Sequence, residues 1–307
     1  LSKYRHSTNS RLLYFITMNK FDFKLGIIVA LIFSAGFLLN ILQNKNQTIN
    51  QLEQEKEQIL IELDDALKIK SQKQKKSVKK RTKKVKYQGT IGLVIDDFGY
   101  RNDAVSEGFL GFKTPMTYAV IPGHQYSSLM GGEAKKFGFE VIIHMPMETH
   151  IITKGEEDFI LMTSQSDEEI TSRVNNAFKQ IPQAVGMNNH QGSKATEDRR
   201  VMTAVGNVLK DKSKYFLDSR TTKNTIAEET MSLLGVSTAR RKVFLDNSDN
   251  LNDINRQVDE LANSAKKDGV AIGIGHVKEN TLAVLKKRIP ELEKSGYKFR
   301  FVSSLLH

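Results

Sequence analysis

The chain of 307 residues contains no cysteine, and its 46 Lys and Arg residues against 35 Asp and Glu residues give a formal net charge of +11. Disulfides, thiol catalysis and thiolate metal sites are therefore excluded. Residues 1–88 hold 18 basic and 7 acidic residues, so residues 89–307 hold 28 of each and are neutral. Because a nucleic-acid-binding domain needs a basic surface, we expect no nucleic-acid partner for the neutral part.

The N-terminal arm begins with a tail, residues 1–24, in which either Met18 is the natural start, the interpretation that we favour, or residues 1–17 are a cytoplasmic tail. Residues 25–42 follow as an apolar run in which only Ser34 and Asn40 are polar. A helix of this length is about 27 Å long, close to the hydrocarbon thickness of a membrane. Two lysines precede the run and no small-residue cleavage signature follows it. The sequence therefore predicts a transmembrane signal anchor in the cell membrane, with one span and an extracytoplasmic body.

Two further segments separate the anchor from the body. Residues 43–70 carry apolar positions at intervals of three and four, which predicts a helical stalk, either a coiled coil that forms a homodimer or a single solvated helix. Residues 71–88 contain nine Lys or Arg and no acid, which predicts a disordered basic linker. This linker is either a plain tether or, through residues 71–86, a contact to an anionic envelope surface.

The body, residues 89–307, alternates short apolar runs with amphipathic segments. Strands are predicted at residues 91–95, 116–121, 140–144, 184–187, 215–217, 243–245, 270–274 and 299–302. Helices are predicted at residues 102–110, 126–137, 167–180, 197–210, 224–234, 251–267 and 281–289. Repeated βα units in one stretch of this length predict an α/β fold, a distorted (β/α) barrel of seven or eight mostly parallel strands.

Six predicted strands end at acidic or imidazole side chains. These residues are Asp96 and Asp97, His144, His190, Asp218, Asp246 and His276. Because the carboxyl ends of barrel strands meet at one rim, we expect these side chains to converge on one site. His124 and His150 stand in less regular contexts, and we predict that they are loop residues.

The chemistry of this rim fits a metal-dependent hydrolase. Carboxylate and imidazole ligands from separate strands can hold a divalent metal such as zinc. The metal would stabilise one carboxylate of the Asp96–Asp97 pair as a ligand and leave the other as a base, while a second His protonates a leaving group. Arg220 would orient the base or hold substrate. The alternatives are a structural His at a strand end, turn chemistry for the two acids, and an ordinary ion pair between Asp218 and Arg220.

Five motifs carry a family resemblance. They are Val-Ile-Asp-Asp-Phe-Gly at 94–99, His-Met-Pro-Met-Glu at 144–148, Gly-Met-Asn-Asn-His-Gln-Gly at 186–192, Phe-Leu-Asp-Ser-Arg-Thr at 216–221 and Gly-Ile-Gly-His at 273–276. In this order, from Thr90 to Leu306, the body resembles the divergent polysaccharide deacetylases of the NodB-like carbohydrate esterase superfamily. The resemblance implies a metal-dependent deacetylase in which Asp96 is the base, Asp97 a metal ligand and His276 the general acid.

One motif departs from the NodB-like pattern, which has two His ligands four residues apart. The position four residues after His144 is Glu148, so the third ligand is either His190 or Glu148. We predict the set Asp97, His144 and His190. We predict that the remaining site residues, Glu148, Asn189, Asp218 and Arg220, bind or orient substrate.

The sequence therefore predicts a membrane-anchored hydrolase that depends on a divalent metal, zinc by our prediction, and removes acetyl groups from an amino sugar polysaccharide. The alternative is a non-catalytic glycan-binding or envelope-scaffold protein on a deacetylase fold. The alternative would keep a groove for sugars without turnover.

Overall fold

The computed structural model describes residues 8–78, 85–151 and 155–307, and the chain divides between Lys83 and Lys84 into two compact units. The described part of the first unit is a single helix, α1 (Thr8–Val78). Its stretch Leu25–Asp65 is long and apolar enough to cross a membrane. An N-terminal signal sequence can have the same length and composition.

Helix α1 continues beyond the predicted stalk to Val78. Residues 71–78 of the predicted disordered linker are therefore helical, which corrects that prediction for this part. Lys and Gln dominate the segment, and both are good helix formers, so the local preference offsets the repulsion between the lysines. Residues 79–84 of the linker and residues 1–7 of the tail lie outside the described residues.

The second unit is a parallel sheet with surrounding helices. Its strands are β1 (Gly89–Phe98), β2 (Thr117–Val120), β3 (Glu140–Met147), β4 (Gly186–Gln191), β5 (Tyr215–Asp218), β6 (Thr238–Arg240), β7 (Val243–Phe244), β8 (Val270–His276) and β9 (Tyr297–Arg300). Its helices are α2 (Ala104–Leu110), α3 (Ser127–Lys136), α4 (Asp167–Gln180), α5 (Arg199–Asp211), α6 (Ala227–Leu234), α7 (Leu251–Asp268) and α8 (Glu279–Ser295). Two short 3₁₀ helices lie at Ala195–Glu197 and Val302–Ser304.

The strands run in the order β6-β5-β4-β3-β2-β1-β8-β7, and β9 pairs with the first half of β1. Every strand pairing is parallel. Within the described residues no ladder joins β6 to β7, so the sheet curves into a half-barrel rather than a closed one. The predicted fold class, a distorted (β/α) barrel, is confirmed.

The core has two layers because successive strand residues point to opposite faces. On β1, Ile91, Leu93 and Ile95 belong to the large core between the sheet and the helices. Val94 belongs to the small inner core, which also contains Val302. The inner core is the smaller of the two clusters.

The inner core is closed at the end opposite the strand carboxyl ends. There the buried Glu140 accepts three hydrogen bonds at Oε1, from Thr117 Oγ1 at 2.8 Å, from Tyr215 OH at 2.9 Å and from Ser303 N–H at 3.1 Å. These contacts fill the inner face at this end of the described sheet, opposite the carboxyl ends of the strands.

Candidate functional site

The two adjacent acids lie at an irregularity in β1. The register of β1 with β2 shifts between Ile95 and Phe98, and Asp97 has a left-handed backbone with φ of 69°. In a regular strand, neighbouring side chains point to opposite faces. Here Asp96 Oδ2 lies 3.6 Å and Asp97 Oδ1 lies 3.4 Å from the same atom, His144 Nε2. The irregularity thus turns both carboxylates toward the rim.

Three of the predicted ligands converge. Asp97 Oδ1 lies 3.4 Å from His190 Nδ1, and His190 Nδ1 lies 3.0 Å from His144 Nε2. Asp97, His144 and His190 each contribute one potential ligand atom, and these three atoms all lie within 4.8 Å of one another. The neighbouring parallel strands β3 and β4 supply the two imidazoles. The structure therefore brings together the three residues that we predicted as ligands.

This cluster fits a divalent cation by its chemistry. Asp97 Oδ1 is buried and forms no hydrogen bond with the described residues, although His144 Nε2 and His190 Nδ1 each lie 3.4 Å from it. A buried oxygen that lacks a hydrogen bond is costly. His144 Nδ1 lies 2.8 Å from Asn188 Oδ1, which makes Nδ1 the donor, so that the neutral imidazole offers the lone pair of Nε2 to a metal. One carboxylate and two imidazoles form a ligand set that zinc accepts.

The two acids differ in electrostatics. Burial raises the pKa of Asp96 above its ordinary value, although the charges of His144 and His276 act against this. Burial alone would also raise the pKa of Asp97, but the neighbouring His144 and His190 outweigh it and hold this pKa well below its ordinary value. Burial alone would lower the pKa of His144, but the two acids raise it to about 9. Asp97 is therefore suited to remain an anion, and Asp96 is the better proton acceptor.

His276 is held by a carboxylate that belongs to the β7–α7 connection. Its Nδ1 lies 2.7 Å from Asp246 Oδ1, and its backbone N–H donates to Asp246 Oδ2 at 2.8 Å. Asp246 is buried and also accepts from Thr281 Oγ1 at 2.7 Å. Burial alone would lower the pKa of His276, but Asp246 outweighs it and raises this pKa above its ordinary value. His276 is also the direct cross-strand neighbour of Asp96 in the pairing of β1 with β8.

These groups surround a cavity of about 350 Å³ at the rim. It is lined by Asp96, His144, Asn189, His190, Gln191, Ser219, Arg220, Thr221, Arg241, Phe244, Asn247, Ile274 and His276. Asn189 connects two segments of the lining. Its Oδ1 accepts from Ser219 N–H at 2.9 Å, and its Nδ2 donates to Gln191 O at 2.7 Å. The candidate base, acid and two imidazole ligands therefore face one space.

Two predicted residues have different contacts from those expected. Asp218 Oδ1 accepts from the backbone N–H of Arg220 at 2.8 Å, and no ion pair joins the two side chains in the described structure. The direct contact of Asp218 is thus with the backbone of Arg220, which is left-handed with φ of 49°, and not with the guanidinium group. Asp218 does not line the cavity, whereas Arg220 does.

Glu148 is not part of the ligand cluster. Its Oε2 accepts from Thr163 N–H at 2.6 Å and Thr163 Oγ1 at 2.7 Å, and its Oε1 pairs with Lys194 Nζ at 2.7 Å. Both carboxylate oxygens thus already have partners, and Glu148 is absent from the cavity lining. Of the two candidates for the third ligand, the geometry favours His190.

Two residues of the site, Asn188 and Arg241, were not predicted, and a third, Asp246, was predicted at the rim without its role. Asn188 bridges the acid and the ligand, since its Nδ2 donates to Asp96 Oδ1 at 2.9 Å. Asp246 was predicted as an acid at a strand end. Its contact with His276 was not predicted, because the two residues are distant in the sequence and no motif links them. Arg241 follows the short strand β6, which we did not predict. His124 and His150 lie in loops, as predicted, outside the cluster.

A family model and two sequence relatives match the body of the chain. The family model of the divergent polysaccharide deacetylases matches residues 93–306. An uncharacterized protein of Haemophilus influenzae is 38% identical over 209 residues, which cover 66% of this chain and 73% of that protein. The uncharacterized protein YibQ of Escherichia coli is 36% identical over 204 residues, which cover 66% of this chain and 63%, less than two thirds, of that protein.

A solved structure supports the fold independently. The crystal structure of the uncharacterized protein ATU2773 from Agrobacterium tumefaciens superposes with a TM-score of 0.67 at 17% identity, over 72% of this chain and 90% of that one. At this identity the likeness concerns the fold alone. The match of the family model to most of the body, together with the two sequence relatives, confirms the resemblance seen in the motifs: the chain belongs to the divergent polysaccharide deacetylase family.

Proposed function

We propose that this chain is a metal-dependent hydrolase that removes acetyl groups from an amino sugar polysaccharide. The observation that carries the proposal is the meeting, in one cavity, of Asp96 with two imidazoles of the ligand cluster and with the Asp246-held His276. A base, a general acid and a cation site around one reacting group are the parts that amide hydrolysis requires.

Asp97, His144 and His190 would hold the metal, with zinc the species that this ligand set suggests. A divalent metal bound there would polarise the acetyl carbonyl and increase the acidity of water. Asp96 would then take the proton of the attacking water, since burial raises its pKa and Asn188 fixes its orientation. This role does not require Asp96 to be a ligand.

His276 would protonate the departing nitrogen. Its Nδ1 is occupied by Asp246, so Nε2 is the atom left to carry a proton into the cavity. The raised pKa keeps the imidazole protonated over a wider pH range, as a general acid needs.

The remaining predicted residues would position substrate. Asn189 and Arg220 line the cavity and are available to contact the sugar. Asp218 would act indirectly by holding the backbone of Arg220. Glu148 would act indirectly through its contacts with Thr163 and Lys194, which fasten the loop beside β3.

We further propose that the body, residues 89–307, works outside the cytoplasm on a membrane anchor at residues 25–42. The anchor is supported by the apolar stretch of α1 and by the two lysines before it. In this arrangement the stalk, residues 43–70, is a spacer that can pair two copies, and the basic segment, residues 71–88, can contact an anionic envelope surface.

The test measures acetate release from N-acetylated oligosaccharides by the purified zinc-loaded chain. We expect Asp96→Asn and His276→Ala to abolish turnover while circular dichroism shows intact folding. Asp268→Asn is the matched control, because Asp268 pairs with Lys242 on the surface at 2.8 Å, outside the cavity. If the parent chain binds the oligosaccharides and releases no acetate, the hydrolase proposal fails and the non-catalytic glycan-binding scaffold is favoured.

A further inference from the structure

The cavity carries more positive than negative side chains. Among its lining residues the permanently charged cations are Arg220 and Arg241, and Asp96 is the carboxylate. Asp96 is already bonded to Asn188. A neutral acetylated sugar offers such guanidinium groups no charged partner, so their presence calls for an explanation.

The loop after β5 presents Arg220 to the cavity. Its backbone is left-handed, with φ of 49°, a conformation that a side-chain-bearing residue adopts only when its surroundings impose it. Here Asp218 Oδ1 accepts from Arg220 N–H at 2.8 Å, and Arg241 Nη2 donates to Arg220 O at 2.8 Å. The Arg220 side chain itself is exposed and forms no hydrogen bond or ion pair within the described part of the chain. Its donors are therefore available to a ligand.

Arg241 lies beside it and is half-buried. It donates from Nε to Ser219 O at 2.6 Å and from Nη2 to Arg220 O, and neither acceptor carries a full charge. Burial lowers the pKa of Arg241, and the nearby charge of Arg220 lowers it further, while the charges of Asp96 and Asp218 act in the opposite direction without reversing the shift. Two guanidinium groups are thus close enough to repel, and an anion between them would relieve this repulsion.

Phe244 contacts both Arg241 and His276, the candidate general acid. The Arg241 guanidinium lies over the Phe244 ring at 4.9 Å from the centroid. On the same ring, His276 packs edge to face at a centroid distance of 5.2 Å. The Arg241 guanidinium therefore lies on the His276 side of the cavity, and Arg220, whose carbonyl it holds, lies beside it on the same lining.

We propose that the substrate sugar carries an anionic substituent, a carboxylate or a phosphate, close to the carbon that bears the acetamido group, and that Arg220 and Arg241 bind this substituent. The inference rests on the proposed function, in which His276 protonates the nitrogen that stays on the sugar. An anionic group bound beside His276 therefore belongs to the sugar and not to the acetyl group. Guanidinium groups suit such an anion because they bind both oxygens of a carboxylate or phosphate at once.

The test compares binding of three probes to the full chain in an Asp96→Asn background, which prevents turnover, by titration calorimetry. The probes are N-acetylmuramic acid with a carboxylate, N-acetylglucosamine 1-phosphate with a phosphate, and neutral N-acetylglucosamine. We expect one anionic probe to bind about tenfold more tightly than the neutral one, the effect of a hydrogen-bonded charge pair, and its identity distinguishes carboxylate from phosphate. Arg220→Gln should bring the two affinities together.

The matched control is Arg240→Gln, because Arg240 is the neighbour of Arg241 but pairs with Glu228 at 3.3 Å and does not line the cavity. It should keep the preference for the anion. Equal affinities in the parent, binding of none of the probes, or a preference that survives Arg220→Gln would each overturn the inference. Acetate release with equal efficiency from neutral and anionic sugars would overturn the inference and leave the deacetylase proposal standing. An Arg220-dependent preference for the anion without acetate release would support anion binding and overturn the deacetylase proposal.

Discussion

The contact between Asp246 and His276 allows a quantitative test. Asp246→Asn keeps the shape of the side chain and removes its charge. The His276 Nδ1–Asp246 Oδ1 contact is 2.7 Å long, and the Asp246 side chain is 0% exposed, so solvent does not weaken the interaction. A hydrogen bond to a charged partner contributes about 1.5–3 kcal/mol. If the transition state uses this contact in full, kcat should fall by about 10- to 150-fold.

The substitution should also change the pH dependence of the rate. The general acid must be protonated, so activity falls as the pH rises through the pKa of His276. Asp246 holds that pKa above its ordinary value of 6.5. Removing the charge lowers the pKa, and the falling limb of the pH–rate profile should move to lower pH.

Stability follows the same linkage. Because the pKa of His276 is raised in the folded chain, its charged form stabilises folding most below pH 6.5, and this contribution disappears as the pH rises through the raised pKa. The assay is acetate release against pH, with urea unfolding on both sides of pH 6.5 and Asp268→Asn as the control. An unchanged rate and an unmoved falling limb in Asp246→Asn would refute the role of Asp246.

Three further predictions concern the surroundings of the site. Asn188→Ala removes the partner that orients His144 and Asp96, and should weaken zinc binding by about 10- to 100-fold in calorimetry; unchanged affinity would contradict this role. Glu148→Gln should leave the zinc affinity unchanged, and a large loss would restore Glu148 as a ligand. Glu140→Ala leaves three donors unpaired in the closed end of the barrel and should lower the free energy of unfolding by about 2–4 kcal/mol in urea; a loss below 1 kcal/mol, as expected for a surface site, would contradict it.

The sequence predicted the elements best where local signals are strong. Helix α4 begins and ends as predicted, because Ser166 and Glu169 cap its first turn reciprocally. Strand β6 was missed because it has only three residues and lies at the edge of the sheet, paired with β5 alone. A single weak pairing leaves little hydrophobic pattern to read.

The site was predictable to the extent that strand ends converge. Since all strands run parallel, Asp97, His144 and His190 had to reach the same rim, and the structure brings them together. The choice between His190 and Glu148 depended on side-chain contacts across loops, which spacing does not encode. The same holds for Asp218, whose partner is a backbone N–H rather than a guanidinium.

The pairing of β1 with β8 also has a consequence for biosynthesis. Asp96 and His276 are direct neighbours in this pairing, yet they lie about 180 residues apart in the chain. A contact between residues so distant in sequence requires that the intervening chain has been synthesised. Strand β1 therefore cannot pair with β8, and Asp96 and His276 cannot face the cavity together, until the C-terminal strands have been made. The site is completed in whichever compartment receives those strands.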